Sequence, residues 1–154
     1  GLVSKAIQPL AHEIIGVDLS PKMLEIAVRE GRINQSVVAD MVEFVTPHIY
    51  NEGYFNLIVC GDAIVYLGDL KEFIKGISQQ LEEPGLFCFT SEDIPNGNFK
   101  LMPSGRYAHN SKYITDLLTE FSFTIVHDRP IIPRSDSDQD VQGHLYLSQL
   151  ITRP

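Results

Sequence analysis

The stretch IIGVDLSPKML, residues 14–24, carries an apolar run into an aspartate and then at once into a helix start. A continuous apolar run closed by an acid reads as a strand covered on both faces, the pattern of a parallel sheet. Ser20 is a good N-cap, Pro21 fits the first helical position, and Gly31 can end the helix after KMLEIAVRE. The question this stretch raises is what wants a carboxylate at residue 18.

Outward from it, strand and helix alternate. SVVAD reads as a second short strand, and MVEFV as helical until Pro47. YFNLIVCGD is a third apolar strand, again ending in Gly–Asp. GDLKEFIKGISQQLEE places Leu70, Phe73, Ile74, Ile77 and Leu81 at helical spacing and stops at Pro84 and Gly85. GLFCFTSE is a fourth strand. Residues 93–107 hold Pro95, Gly97, Pro103 and Gly105 and read as a long excursion, of the kind that is often functional. SKYITDLLTEF is a helix capped by Ser111. The chain closes on FTIVHDRPII and GHLYLSQLIT, two strands joined by the polar PRSDSDQDVQ, with no helix between them, so that this pair can be antiparallel. The order predicts a three-layer α/β fold over residues 1–154, one domain with a mostly parallel sheet and a C-terminal antiparallel hairpin.

The bulk numbers narrow the function. A chain of 154 residues that is 44% hydrophobic suits one globular domain with a real core. No apolar run approaches the ~20 residues of a membrane span, and the start carries no signal-peptide pattern. A net charge of −8 argues against nucleic acid as a bulk electrostatic partner. Cys60 and Cys88 sit in apolar strand-like runs and read as buried free thiols of a reducing cytoplasm. The five histidines show no metal-ligand spacing; His12, His48, His127 and His144 read as structural. Asp136, Asp138 and Asp140 lack the glycine and distal glutamate of a calcium loop and read as a solvated connection.

In open α/β sheets ligands bind at the carboxyl ends of the strands. Three predicted strands end in acids there: Asp18, Asp40 and Asp62. One carboxylate is placed to accept from ribose hydroxyls and a neighbouring one from an adenine amino group, which describes a negatively charged slot for a cationic nucleoside. Each acid also has a plainer reading, Asp18 as a turn former and Asp40 as the N-cap of the helix that follows.

The phrases GLVSKAIQPLAHEIIGVDLSPKMLEIAVREG, VVADMVEF and NLIVCGDAIVYLGDL resemble a class I S-adenosylmethionine-dependent methyltransferase. VYLGDL, SGRYAHNSKYI and the closing GHLYLSQL are similar to the narrower bacterial group often fused to tetratricopeptide repeats. The resemblance runs over essentially the whole chain and implies a Rossmann-like fold with S-adenosylmethionine as cofactor. It further implies that Asp18 holds the ribose hydroxyls, that Leu19 and Met23 line the adenine pocket, and that Asp40 takes the adenine amino group with the Met41 amide on a ring nitrogen. Cys60, Gly61 and Asp62 would flank the methionine part, and Gly1 and Leu2 match the tail of the glycine-rich loop. Family members carry a strand and a Gly-x-Gly turn just before the position of Gly1; their lack here marks the chain as a fragment of a longer protein, lacking its first strand, with room for helical repeats upstream or for self-association.

Methyl transfer is an in-line displacement that needs alignment more than a fixed catalytic group. Tyr66, Arg106, Tyr107 and His109 are the candidates for contact with the methyl acceptor, a small molecule or a protein side chain. Each has an ordinary reading too: Tyr66 as a packing aromatic, Arg106 as the partner of an acid, His109 as a loop histidine. Two other functions fit the same strand-end acids: an NAD-type oxidoreductase, and a non-catalytic binding module with an incomplete cofactor site.

Overall fold

The computed structural model describes residues 1–46, 55–136 and 139–152. They fall into two compact units, Gly1–Asn51 and Glu52–Pro154.

The first unit opens with α1 (Leu2–Ile7), followed by β1 (Ile15–Asp18), α2 (Pro21–Arg29), β2 (Gln35–Val38) and α3 (Met41–Val45). β1 and β2 pair in parallel, Ile15 with Gln35 through Asp18 with Val38. Ser20 caps α2, its hydroxyl accepting from the Met23 amide. At the other end the Gly31 amide bonds the Val28 carbonyl and the Arg32 amide reaches back to Ala27. This closure needs a left-handed residue, and Gly31 supplies it with φ +65°. The helix turns Leu24 and Ala27 onto Ile14 and Ile33, with Ile7 and Ala11 at the margin of this small core. Thus the helix predicted from residues 21–31 is found, and the reason is local: both of its ends are written in adjacent residues.

The second unit holds β3 (Phe55–Cys60), α4 (Lys71–Gln80), β4 (Leu81–Glu92), β5 (Phe99–Leu101), β6 (Tyr107–His109), α5 (Ser111–Glu120), β7 (Phe123–Asp136) and β8 (Gln139–Leu150). Its main sheet runs β3-β4-β8-β7, with β3 parallel to β4 and the remaining pairs antiparallel. Stacked rings fill the core, Phe87 on Phe89 at 4.5 Å and Phe89 on Tyr146 at 5.0 Å. Phe73, Ile77, Ile114 and Leu118 from the two helices are buried with them.

Four expectations change. α4 ends at Gln80 instead of running to Glu83, because Leu81 pairs with Phe55 and is wholly buried as the first residue of β4. Leu81 satisfies a helical period and a strand equally, and only the partner strand separates the two. The stretch 93–107 is not irregular throughout: β5 and β6 form a small antiparallel hairpin turned by residues 102–106, where Gly105 takes φ +78°. The cap of α5 is Asn110, whose Oδ1 accepts from the Lys112 and Tyr113 amides, and Ser111 is the first helical residue. The polar connection 133–142 is mostly strand, with Arg134 opposite Val141 and Ser135 opposite Asp140. His48, Pro47, Tyr54 and Asp138, each given a reading above, lie outside the described residues. Among the described residues β1 pairs only with β2, and β3 only with β4.

Candidate functional site

In the first unit the two strand-end acids share one rim. Asp18 is the last residue of β1 and stands opposite Val38, and the Ala39 amide bonds the Asp18 carbonyl at 3.3 Å. Asp40 follows two residues past Val38, beyond the same carboxyl end of the paired strands, as the N-cap of α3.

Both plainer readings hold. Asp18 Oδ1 accepts from the Ser20 amide at 2.8 Å and shapes the turn into α2. Asp40 Oδ1 caps α3, accepting from Val42 at 2.8 Å and Glu43 at 3.3 Å. In each case one oxygen does the local work. The second oxygen of each carboxylate has no partner among the described residues, and neither has the Met41 amide at the first position of α3. Leu19 and Met23 stand 69% and 51% exposed beside these acids, and Val38 is exposed as well. An acid pair set in exposed apolar side chains can grip the polar edge of a ligand while the apolar groups cover its flat face.

Gly1 precedes α1 with no side-chain cap, and a Cβ there would meet Arg32 at 3.0 Å and Ala27 at 3.2 Å. Leu2 is largely exposed.

In the second unit Cys60 closes β3 as a half-buried free thiol, and burial together with nearby Cys88 pushes its pKa up to about 12. Such a thiol is inert as a nucleophile. Gly61 follows it, and Asp62 has a left-handed backbone at φ +56° with its amide on Thr90 Oγ1 at 3.0 Å. The Asp62 carboxylate is taken by Arg106. Arg106 is the center of a network: Nε donates to Glu92 Oε1 at 2.6 Å, Nη1 to the Tyr66 hydroxyl at 3.4 Å, and the guanidinium lies 5.4 Å over the Tyr66 ring. Arg134 Nε reaches the same Glu92 oxygen at 2.9 Å. Burial alone would raise the Glu92 pKa, but the two guanidiniums outweigh it and hold the carboxyl below its usual range.

The predicted acceptor group therefore divides. Tyr66 and Arg106 come together, with Tyr66 62% exposed, while the charge of Arg106 is spent on Asp62 and Glu92. Tyr107 packs edge-on against Phe99 at 6.2 Å. His109 is wholly buried, not at a rim: its Nε2 lies 3.0 Å from both the Leu67 and Gly68 carbonyls, so the proton is assigned there. Burial lowers its pKa and keeps the ring neutral, with Nδ1 buried and unpartnered. It holds the segment after β3 against β6 and is removed from solvent chemistry.

Glu92, Asp93, Arg134 and His144 were not predicted. SED at the end of β4 carries the same strand-end signal as Asp18, but Arg134 and His144, which pair with Glu92 and Asp93, lie 42 and 51 residues away. Asp93 Oδ2 meets His144 Nδ1 at 2.5 Å, so that the His144 read as merely structural has a carboxylate partner. A polar hollow of about 440 Å³ beside Asn96, Asn98 and the start of α5 contains no predicted site residue.

A family profile described as a methyltransferase domain matches residues 1–89. No curated protein matches the chain in sequence. Among solved structures, the N-methyltransferase NodS from Bradyrhizobium japonicum, in complex with S-adenosylhomocysteine, superimposes with a TM-score of 0.73 at 19% identity over 99% of this chain and 74% of that one. A methyltransferase from Clostridium acetobutylicum gives 0.70 at 17% identity over 97% and 80%. The magnesium protoporphyrin IX methyltransferase of Synechocystis, with bound S-adenosylhomocysteine, gives 0.70 at 12% over 96% and 68%. At these identities the likeness establishes the fold, an α/β methyltransferase fold with a mixed sheet.

Proposed function

We propose, for a chain that belongs to the methyltransferase-domain family, that it transfers a methyl group from S-adenosylmethionine to an acceptor that is a small molecule or a protein side chain. The observation that carries the cofactor is the rim of the first unit: Asp18 at the carboxyl end of β1 and Asp40 just past that of β2, each with an oxygen to spare. Asp18 accepts from the ribose hydroxyls and Asp40 from the adenine amino group. The unpartnered Met41 amide donates to a ring nitrogen, and Leu19 and Met23 cover the base.

The residues fit the group chemically. A sulfonium is a cation, and two carboxylates with exposed apolar neighbors favor a cationic nucleoside over a pyrophosphate, which binds to bare amides at a helix start. When bound, the cofactor supplies the activated methyl group. The chain's own part is to orient it and to exclude water.

We place the protein in the cytoplasm, supported by the free thiols Cys60 and Cys88. No helix among the described residues is long and apolar enough to cross a membrane. Kinship with the tetratricopeptide-associated group is supported by VYLGDL and SGRYAHNSKYI.

Calorimetric titration with S-adenosylhomocysteine and, separately, with NAD tests the reading. Binding of the first and not the second is expected. Binding of NAD alone would replace it with the oxidoreductase, and binding of neither with a non-catalytic module.

A further inference from the structure

We propose that the Asn96–Gly97 step is a modification site, where the asparagine amide is lost spontaneously and a carboxylate or an isoaspartyl linkage takes its place. The proposal stands on the second unit alone and is independent of the methyl-transfer reading.

The dipeptide lies in the bend between β4 and β5. Asparagine is thermolabile because the next backbone nitrogen can close a cyclic imide on its side-chain carbonyl. In a folded chain that closure is resisted by a bulky following residue, by hydrogen bonds on the side-chain amide, and by engagement of the attacking nitrogen. At Asn96 none of these operates. Gly97 has no side chain to crowd the approach, and at φ +81° it has open space where a Cβ would stand. Neither the Asn96 side chain nor the Gly97 amide has a hydrogen-bond partner among the described residues. Both residues are exposed and border the polar hollow of about 440 Å³, so water reaches them.

The other described asparagines are held. Asn34 Oδ1 accepts from the Ile14 amide at 2.8 Å, and the Gln35 amide bonds the Ile14 carbonyl. Asn56 donates to Glu82 and is followed by Leu57 within β3. Asn98 is followed by the bulky Phe99, the first residue of β5. Asn110 has both ends of its amide in use, Oδ1 on the Lys112 and Tyr113 amides and Nδ2 on the Ile94 and Pro95 carbonyls.

The step balances with water as the only co-reactant. The Gly97 nitrogen bonds to Asn96 Cγ, the Cγ–Nδ2 bond breaks, and Nδ2 leaves as ammonia with the proton of the attacking nitrogen. Water then opens the imide. Cleavage of the nitrogen–Cγ bond gives aspartate. Cleavage of the bond to the main-chain carbonyl carbon gives isoaspartate, whose backbone runs through Cβ and Cγ. Nothing is oxidized or reduced.

The change falls between two fixed points. Before it, Asn110 Nδ2 holds the Ile94 and Pro95 carbonyls at 3.2 and 3.1 Å; after it, the Asn110 amide holds the Asn98 carbonyl at 2.9 Å. Isoaspartate inserts a methylene into the span between these grips, which were matched to the shorter chain. Asn110 is also the cap of α5, so the mismatch loosens the first turn of that helix.

The test uses the full chain, wild type and Asn96→Gln, kept folded in warm, mildly alkaline buffer. Wild type unfolded in guanidinium sets the time scale. Glutamine must close a larger ring and does so far more slowly. Peptide mass spectrometry reads amide loss at each asparagine, with fragmentation separating aspartate from isoaspartate. Expected in the folded wild type is loss at Asn96 with Asn110 intact. Anion exchange should show a species one unit more negative than the formal −8, absent from Asn96→Gln. Hydrogen exchange of the aged protein should show lowered protection at the Lys112 and Tyr113 amides, which Asn110 caps. An Asn96 amide that survives in the folded chain while it is lost in the unfolded one overturns the proposal. So does loss at Asn110 as fast as at Asn96, or an acidic species that persists in Asn96→Gln. Isoaspartate at residue 96 with unchanged protection at Lys112 and Tyr113 overturns its reach to α5.

Discussion

Asp18 and Asp40 each make their local bonds through one carboxylate oxygen and, in the proposed site, offer the other to the ligand. That division makes a clean substitution available. Asparagine keeps Oδ1, and with it the turn at Ser20 and the cap of α3, but replaces the free oxygen by a donor and removes the charge. Asp18→Asn and Asp40→Asn should each weaken S-adenosylhomocysteine binding about 10- to 100-fold, the range of a charge-assisted hydrogen bond, with little change in melting temperature. Calorimetry beside a thermal melt reads both; unaltered affinity in the pair of variants would remove the acids from the site. His109 shows the opposite outcome, a residue whose chemistry is absorbed by the fold. Its folded pKa lies below the ordinary 6.5 because the ring is buried. Above pH 6.5 it is neutral in both states; as pH falls below that, the unfolded chain takes up a proton that the folded one refuses, so stability declines. Urea titrations between about pH 7 and 5 should show this slope in the wild type and a flatter one in His109→Gln.

At the scale of elements, the ends of helices separate what neighbors determine from what partners determine. α2 is bounded by Ser20 and Gly31, both legible, because capping and left-handed closure act over a few residues. The cap of α5 lies one residue before the one its sequence predicts, since Asn110 and Ser111 are both competent and the choice between them turns on which backbone remains extended. Asn110→Ala should cost about 1 kcal/mol, measured by urea denaturation, and Ser111→Ala should be near neutral. Asn110 also donates to the Ile94 and Pro95 carbonyls, which adds to the first loss. Equal costs would return the cap to Ser111. The end of α4 departs from the predicted one for a different reason: Leu81 continues the apolar period of the helix, and the pairing with Phe55 that claims it comes from a strand far back in the chain.

Across the whole molecule, the two units differ in how much they bury. The first has a two-stranded sheet over Ile14, Leu24, Ala27 and Ile33, and a two-stranded sheet is marginal unless packed. The second has a four-stranded main sheet and a stack of fully buried rings. Hydrogen exchange should therefore protect β4 and β8 more than β1 and β2, with added S-adenosylhomocysteine raising protection in β1 and β2. Equal protection throughout would make one cooperative body of the chain. Within the second unit Glu92 joins three elements, and removing one partner of a buried ion pair strands the other charges. Glu92→Ala should cost about 3–5 kcal/mol by urea denaturation; a loss below about 1 kcal/mol would mean that Arg106 is held by Asp62 alone.

The amino-acid order by itself determined the alternation of strand and helix, the antiparallel close, the acids at three strand ends and the boundaries of α2. All of these follow from forces that act within a turn or along one strand: periodic apolar burial, capping, and the freedom of glycine. The tertiary structure alone decided that Leu81 is strand, that 99–109 is a hairpin, that Arg106 is neutralized and His109 buried. It alone set His144 against Asp93, 51 residues apart. Pairing at such a distance depends on sheet register, and register is a property of two strands together, which no single run of sequence contains.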